Sequence, residues 1–162
     1  MGLANEVNRQ MGKQLEAGLE FSWTYTVPQR ALVPELFGDI EPCDQMPAVL
    51  STPFLAGVME CACVRAVVPY LDWPEQQCVG TLISVTHLAA TPPGAVLLIQ
   101  GRLSSVVGKL LRFEISARDG VDTISEGVHE RTIIDTARFN RKLANKAALL
   151  NLTLLDNRLK TA

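Results

Sequence analysis

The stretch Ser51-Thr52-Pro53-Phe54-Leu55-Ala56-Gly57-Val58-Met59-Glu60-Cys61-Ala62-Cys63-Val64-Arg65-Ala66-Val67-Val68 decides the reading of this chain. It predicts a central helix. Thr52 offers an oxygen that can accept a backbone N–H as N-cap. Pro53 suits the first helical position, where its missing N–H costs nothing. No breaker follows until Pro69, and Gly57 is the one weak residue. Phe54, Leu55, Val58, Met59, Ala62, Ala66 and Val67 leave little room for a wet face, and a helix apolar almost all round is a buried helix. Glu60 sits in its middle. A buried carboxylate is rare unless it is paired or at work. Glu60 is therefore either a structural ion-pair partner or a catalyst.

Before this helix, Leu3, Val7, Met11, Leu15 and Leu19 fall four apart and predict an N-terminal helix over 3–19, tempered by Gly12 and Gly18. Phe21 to Val27 alternates aromatic and polar residues, as a strand does. Pro28, Pro34, Gly38, Pro42 and Pro47 then mark a long loop with a short helical turn around Pro34 to Phe37. Long ordered loops are usually functional, often lids.

After the helix the pattern turns to strands. Cys78 to Leu88 places Val79, Thr81, Ile83, Val85 and His87 on one face. Ala95 to Val107 is a long apolar strand between Pro92-Pro93-Gly94 and Gly108. Leu111, Phe113, Ile115 and Ala117 alternate with Arg112, Glu114 and Ser116. Asp119-Gly120 signals a hairpin into Val121 to Ile134. A second helical stripe covers 138–159, with Phe139, Leu143, Ala147, Leu150 and Leu154. The sum is α+β: one long helix wrapped by an antiparallel sheet of about five strands. The main domain spans 21–137, with helical extensions over 1–20 and 138–162.

Composition bounds the function. A chain of 162 residues favours one domain, and 48% hydrophobic content is ample for a core. A net charge of −2 gives no electrostatic case for nucleic acid or an anionic membrane. No segment is read as approaching the roughly 18 to 20 apolar residues of a membrane span. The polar N-terminus does not read as a signal peptide. Cys43, Cys61, Cys63 and Cys78 form no CxxC pair, and two histidines are too few for a familiar zinc pattern. Reduced thiols in a cytoplasmic protein, with no metal, is the reading.

Three residues could carry chemistry. His87 continues an apolar face toward the helix. It is either a hydrogen-bonded core residue or an acid–base group supported by Glu60. Thr52 is either the N-cap alone or a third member. Thr52 and Glu60 lie about 12 Å apart along a helix axis, and side chains lean toward the N-terminus, so Glu60 leans back toward Thr52. A small acyl group could bridge them, with the free N–H groups of the helix start nearby for an oxyanion.

The run Val79-Gly80-Thr81 with Val85-Thr86-His87-Leu88-Ala89-Ala90-Thr91-Pro92, together with Ser51-Thr52-Pro53, Glu60 and Glu126-Gly127-Val128-His129-Glu130-Arg131, strongly resembles the thioesterases similar to fluoroacetyl-CoA thioesterase. The resemblance covers roughly residues 22 to 142. It implies the hotdog fold, a homodimer with a tetramer as the alternative, and an acyl-CoA substrate whose coenzyme A is the only cofactor-like group. It implies thioester hydrolysis by Thr52, Glu60 and His87. His87 would be general base or proton shuttle. Glu60 would orient and charge His87, or attack the carbonyl itself. Thr52 would position the acyl group or act as nucleophile. Gly80 would let coenzyme A or the acyl chain approach the strand backbone, and the family's late-strand arginine falls on Arg131. Lid positions fall on Val33, Leu36, Cys43 and Met46. Cys43 and Met46 stand where the fluoroacetyl-specific member carries two phenylalanines, so thioester hydrolysis is implied and fluoroacetyl selectivity is not. The rival readings are an acyl-CoA hydratase or dehydratase of the same fold, and a non-catalytic acyl-CoA binder.

Overall fold

A computed structural model describes residues 14–153. Strand β1 (Glu20–Thr26) leads into the long loop, which carries the one-turn helix α1 (Val33–Leu36) and a 3-10 turn at Cys43–Gln45. Helix α2 (Thr52–Val67) follows. Then come β2 (Gln76–Val85), β3 (Val96–Val107), β4 (Leu110–Arg118), β5 (Thr123–Asp135) and helix α3 (Thr136–Leu149). The five strands form one antiparallel sheet in the order β1-β3-β4-β5-β2. The predicted element order and the α+β architecture are both observed.

The core lies between α2 and one face of the sheet. Leu55, Val58, Met59, Ala62, Cys63 and Val67 of α2 are buried, as are Leu97, Ile99 and Leu103 of β3. β4 buries Leu111, Phe113, Ile115 and Ala117, the alternation read from the sequence. Each fully buried large apolar side chain contributes about 1.5 to 3 kcal/mol. The helix is not covered all round, as its composition suggested. Thr52, Pro53, Cys61 and Arg65 are exposed, and Ala56, Gly57, Glu60 and Val64 are half-buried. The segment Thr52–Tyr70, 19 residues at hydropathy 1.3, is also long and apolar enough to cross a membrane by length and composition. This corrects the sequence reading. Its packing on the sheet gives it the place of a core helix.

Both termini depart from expectation. Residues 14–19 are not helical, and the predicted helix over 3–13 lies outside the described residues. Gly18 (φ +101) donates to the Leu103 carbonyl, and Leu103 donates back to Leu19. The chain so extends the β1–β3 pairing, and Leu15 and Leu19 pack on the core one at a time. At the other end α3 stops at Leu149, residues 150–153 are not helical, and the predicted helix over 154–159 lies outside the described residues. Asn151 adopts φ 55, Asn151 donates to Ala148 and Leu152 to Ala147. This left-handed residue ends the helix and satisfies its last carbonyls.

The long loop is closed at its base. Ser51 donates to Ala31, Val33 donates to Val49, and Leu32 bridges Leu50. This pins the end of the loop against the start of α2.

Candidate active site

Ser51, not Thr52, is the N-cap of α2: its carbonyl accepts the Leu55 N–H at 3.0 Å. Thr52 and Pro53 are both inside the helix. The Thr52 hydroxyl is thus free of capping, and it lies 2.8 Å from His87 Nδ1. His87 follows β2 directly. Its neighbours tie it to β5, because Thr86 donates to the Glu126 carbonyl and Leu88 donates to Ile124. Thr91 of the same segment is fully buried and its carbonyl accepts the Leu50 N–H, two residues before Thr52. The His-Leu-Ala-Ala-Thr-Pro run therefore fixes both members of the pair at once. Burial holds the His87 imidazole below its ordinary value of 6.5. His87 is neutral at pH 7 and able to accept a proton.

Glu60 belongs to a different cluster. Its Oε1 is 3.2 Å from Arg131 Nη1 and 3.2 Å from His129 Nε2. Arg131 is buried. It donates through Nε to Cys78 Sγ at 3.1 Å and through Nη2 to the Cys78 carbonyl at 2.8 Å. Nη1 serves both Glu60 and His129 Nε2, the latter at 3.0 Å. The Glu60 carboxylate lies directly over Gly80: a Cβ there would collide with Oε1 and come within 3.3 Å of His129. Glycine at this position makes room for the carboxylate. All of these contacts fall on Oε1, which leaves Oε2 unused among the described residues.

This arrangement corrects the expected Glu60–His87 pairing. Among the described residues of one chain, His87 meets Thr52 and Glu60 meets Arg131. The cause is partly a β-bulge. β2 shifts register against β5 between Gly80 and Leu82, so Thr81 is an extra residue. Cys78 and Gly80 share the inner face with Ile133 and Arg131. After the bulge Ile83 and Val85 pair with His129 and Gly127 and so take the side that Cys78 and Gly80 hold before it, with Ile83 still exposed at the sheet edge. Val79 and Thr81 are therefore not on the face of Ile83 and Val85. His87 lies seven residues beyond Gly80, roughly 20 Å along an extended chain, at the far end of the first turns of α2 from Glu60.

The sequence reading missed His129. It is 1% exposed, stacks on Phe113, and accepts or donates at both ring nitrogens. Burial first, and Arg131 with it, lower its pKa, while the Leu82 hydrogen bond and the Glu60 charge oppose this. Of the lid positions, Val33 and Cys43 are half-buried, and Leu36 and Met46 are exposed on the loop. Burial pushes the Cys63 thiol up to about 12, which makes it inert. No group of three or more His, Cys, Asp or Glu side chains that could hold a metal exists among the described residues.

The family model described as fluoroacetyl-CoA-specific thioesterase matches residues 36–137. The fluoroacetyl-CoA thioesterase of Streptantibioticus cattleyicolor is 42% identical over 132 residues, which is 82% of this chain and 94% of that protein. A solved structure of a fluoroacetyl-CoA thioesterase superposes with a TM-score of 0.79 at 41% identity, covering 83% of this chain and 98% of the other. A Thermus thermophilus member of the thioesterase superfamily shares the fold at 19% identity, with a TM-score of 0.75 over 86% of this chain and 98% of its own.

Proposed function

The chain belongs to the fluoroacetyl-CoA-specific thioesterase family and hydrolyses acyl-CoA thioesters, and from that premise we propose that each active site is completed across a homodimer. The observation that carries this reading is the separation of the chemistry within one chain. Thr52 and His87 touch at 2.8 Å, while Glu60 is held two turns further down α2 with Oε2 unused. β2 is an edge strand with Leu82 and Ile83 exposed. Pairing of β2 with its symmetry mate across a two-fold axis would cover that edge. It would bring Glu60 of the partner subunit toward the Thr52–His87 pair.

In this reading the Thr52 hydroxyl attacks the thioester carbonyl while its proton passes to His87 Nδ1. Nucleophile and base within hydrogen-bond reach are the signature of covalent catalysis. The N–H groups of Thr52 and Phe54 have no intrahelical acceptor, and they face the developing oxyanion. His87 returns the proton to the departing coenzyme A sulfur and then activates water to free the acid. The partner's Glu60 stabilises the imidazolium. The acyl group is small or medium, not specifically fluoroacetyl, because Cys43 and Met46 give the lid less rigid bulk than phenylalanine would. The four cysteines are free, as suits a cytoplasmic enzyme.

Mixed dimers test the proposal. Thr52→Ala mixed with Glu60→Gln should regain about a quarter of wild-type thiol release, because half the dimers are hybrids and each holds one intact site. Thr52→Ala mixed with His87→Ala should regain nothing. No recovery in the first mixture, with subunit exchange verified by mass spectrometry, would end the cross-chain reading.

A further inference from the structure

We propose that His129 is a positioning residue for Glu60, acting through Arg131. The inference rests on Glu60 taking part in thioester hydrolysis. Its basis is the placement of the hydrogen atoms on His129 and on Arg131 Nη1. His129 Nδ1 is 2.7 Å from the Leu82 carbonyl. A carbonyl only accepts, so Nδ1 carries the proton and Nε2 of the neutral ring is an acceptor. Nε2 takes one N–H of Arg131 Nη1 at 3.0 Å, and the other N–H of the same nitrogen goes to Glu60 Oε1 at 3.2 Å. Nε and Nη2 of Arg131 are committed to Cys78. Both hydrogens of Nη1 are therefore placed, and the guanidinium cannot turn without losing a partner. Glu60 receives one N–H, from Arg131, on Oε1, the oxygen that also lies 3.2 Å from His129 Nε2.

The β-bulge at Thr81 sets this chain of contacts. It puts Leu82 and Ile83 beside Glu130 and His129, where the Leu82 carbonyl meets the imidazole. Phe113, stacked on the ring, fixes its plane. The ring is buried beside a guanidinium and its pKa is lowered, which suits an acceptor that must stay neutral. The groups facing it are Glu60 from α2, Arg131 and Glu130 from its own strand, and the Leu82 carbonyl from β2.

Two substitutions separate positioning from packing. His129→Asn can keep the donor to Leu82 but loses the acceptor for Arg131. His129→Gln can place an acceptor near the old Nε2 but loses the donor to Leu82. The proposal expects a crossed result on an acyl-CoA substrate. The Asn variant should lose about 10-fold or more in kcat with KM little changed, and the Gln variant should keep most of kcat but melt lower. In a Glu60→Gln background the Asn substitution should cost nothing further. Equal kcat loss in both variants, or an undiminished Asn effect without Glu60, would overturn the proposal. Nitrogen-15 NMR of histidine-labelled wild-type protein needs no substitution at 129 and so does not depend on a variant folding. The chain has two histidines, and His87→Ala assigns them. His129 should appear as the Nδ1–H tautomer at pH 7; the Nε2–H tautomer or an imidazolium would refute the assignment. If wild type hydrolyses no acyl-CoA, the functional reading fails while the tautomer result still stands or falls by itself.

Discussion

The two ends of the Thr52–Glu60 stretch of α2 are held in opposite ways. Around Glu60 almost every polar atom has a partner: Arg131 is donated out, His129 uses both nitrogens, and Gly80 yields its side-chain space. Around Thr52 there is one side-chain contact, to His87. The buried side-chain polar atoms left without a partner among the described residues, Ser51 Oγ, His87 Nε2 and Thr91 Oγ1, all belong to this end. Unpartnered buried polar atoms are costly. The Glu60 end is thus built to hold a charge still before anything binds. The Thr52 end leaves hydrogen-bonding groups unpaired within the described residues.

The comparison breaks most readily at Thr52 and His87. Thr52→Ala and His87→Ala should each lower kcat by about 10² to 10⁴-fold, and the double variant should be no worse than the poorer single, because the pair acts as a unit. Losses that multiply would mean the 2.8 Å contact is not the working one. At the other end Gly80→Ala should displace the Glu60 carboxylate and cost about 10- to 100-fold in kcat. A Gly80→Ala enzyme with full kcat would show that the position of Glu60 is not critical.

The acid limb gives a third test. His87 must be neutral to act and its pKa lies below 6.5. Activity should therefore hold from pH 7 down to about 6.5 and fall only below that, by about 10-fold per unit. A limb centred above 6.5 would contradict the burial of His87. Stability should follow the same sense. His87 and His129 both have lowered pKa values in the fold, so the unfolded chain binds protons first as pH drops. The melting temperature should fall below pH 6.5 and level once the pH is under the folded-state values.

The smallest effect belongs to the lid. Each buried methylene is worth about 0.8 kcal/mol, near fourfold in rate. Wild-type kcat/KM should rise gradually with acyl length. Cys43→Phe with Met46→Phe should lose more activity on butyryl-CoA and longer chains than on acetyl-CoA. An equal loss on all chains, or a wild type confined to acetyl-CoA, would remove these positions from the control of chain length.

Fold and chemistry were not equally legible in the sequence. β4 could be read residue by residue because one face is apolar and the other charged, and nothing interrupts the period. In β2 the period-two pattern of Val79, Thr81, Ile83 and Val85 continues through the bulge, so composition conceals the reversal of faces at Thr81. The missed His129 did leave a signal. Gly127, His129, Arg131 and Ile133 alternate on the face opposite Val85, Ile83, Gly80 and Cys78, and a histidine two residues from an arginine on an inward face needs a buried counter-charge. Thr52, Glu60 and His87 were singled out from the sequence, and the structure puts Thr52 against His87 and Glu60 against Arg131. The direct Glu60–His87 contact expected within one chain is not formed, because His87 meets the first turn of α2 while Glu60 sits two turns further along it. The end of the N-terminal stripe, residues 14–19, misled for a simpler reason. Leu15 and Leu19 serve an extended chain, and Gly18 at φ +101 is a turn residue.

The closed base of the long loop makes the segment between it a replaceable cartridge. Ala31–Ser51, Leu32–Leu50 and Val33–Val49 clamp the loop before it reaches α2. Sequence can be exchanged between residues 34 and 48 without changing where Thr52 sits. If the proposed lid role holds, the accepted acyl group can be retuned there while the proposed Thr52–His87 pair keeps its place.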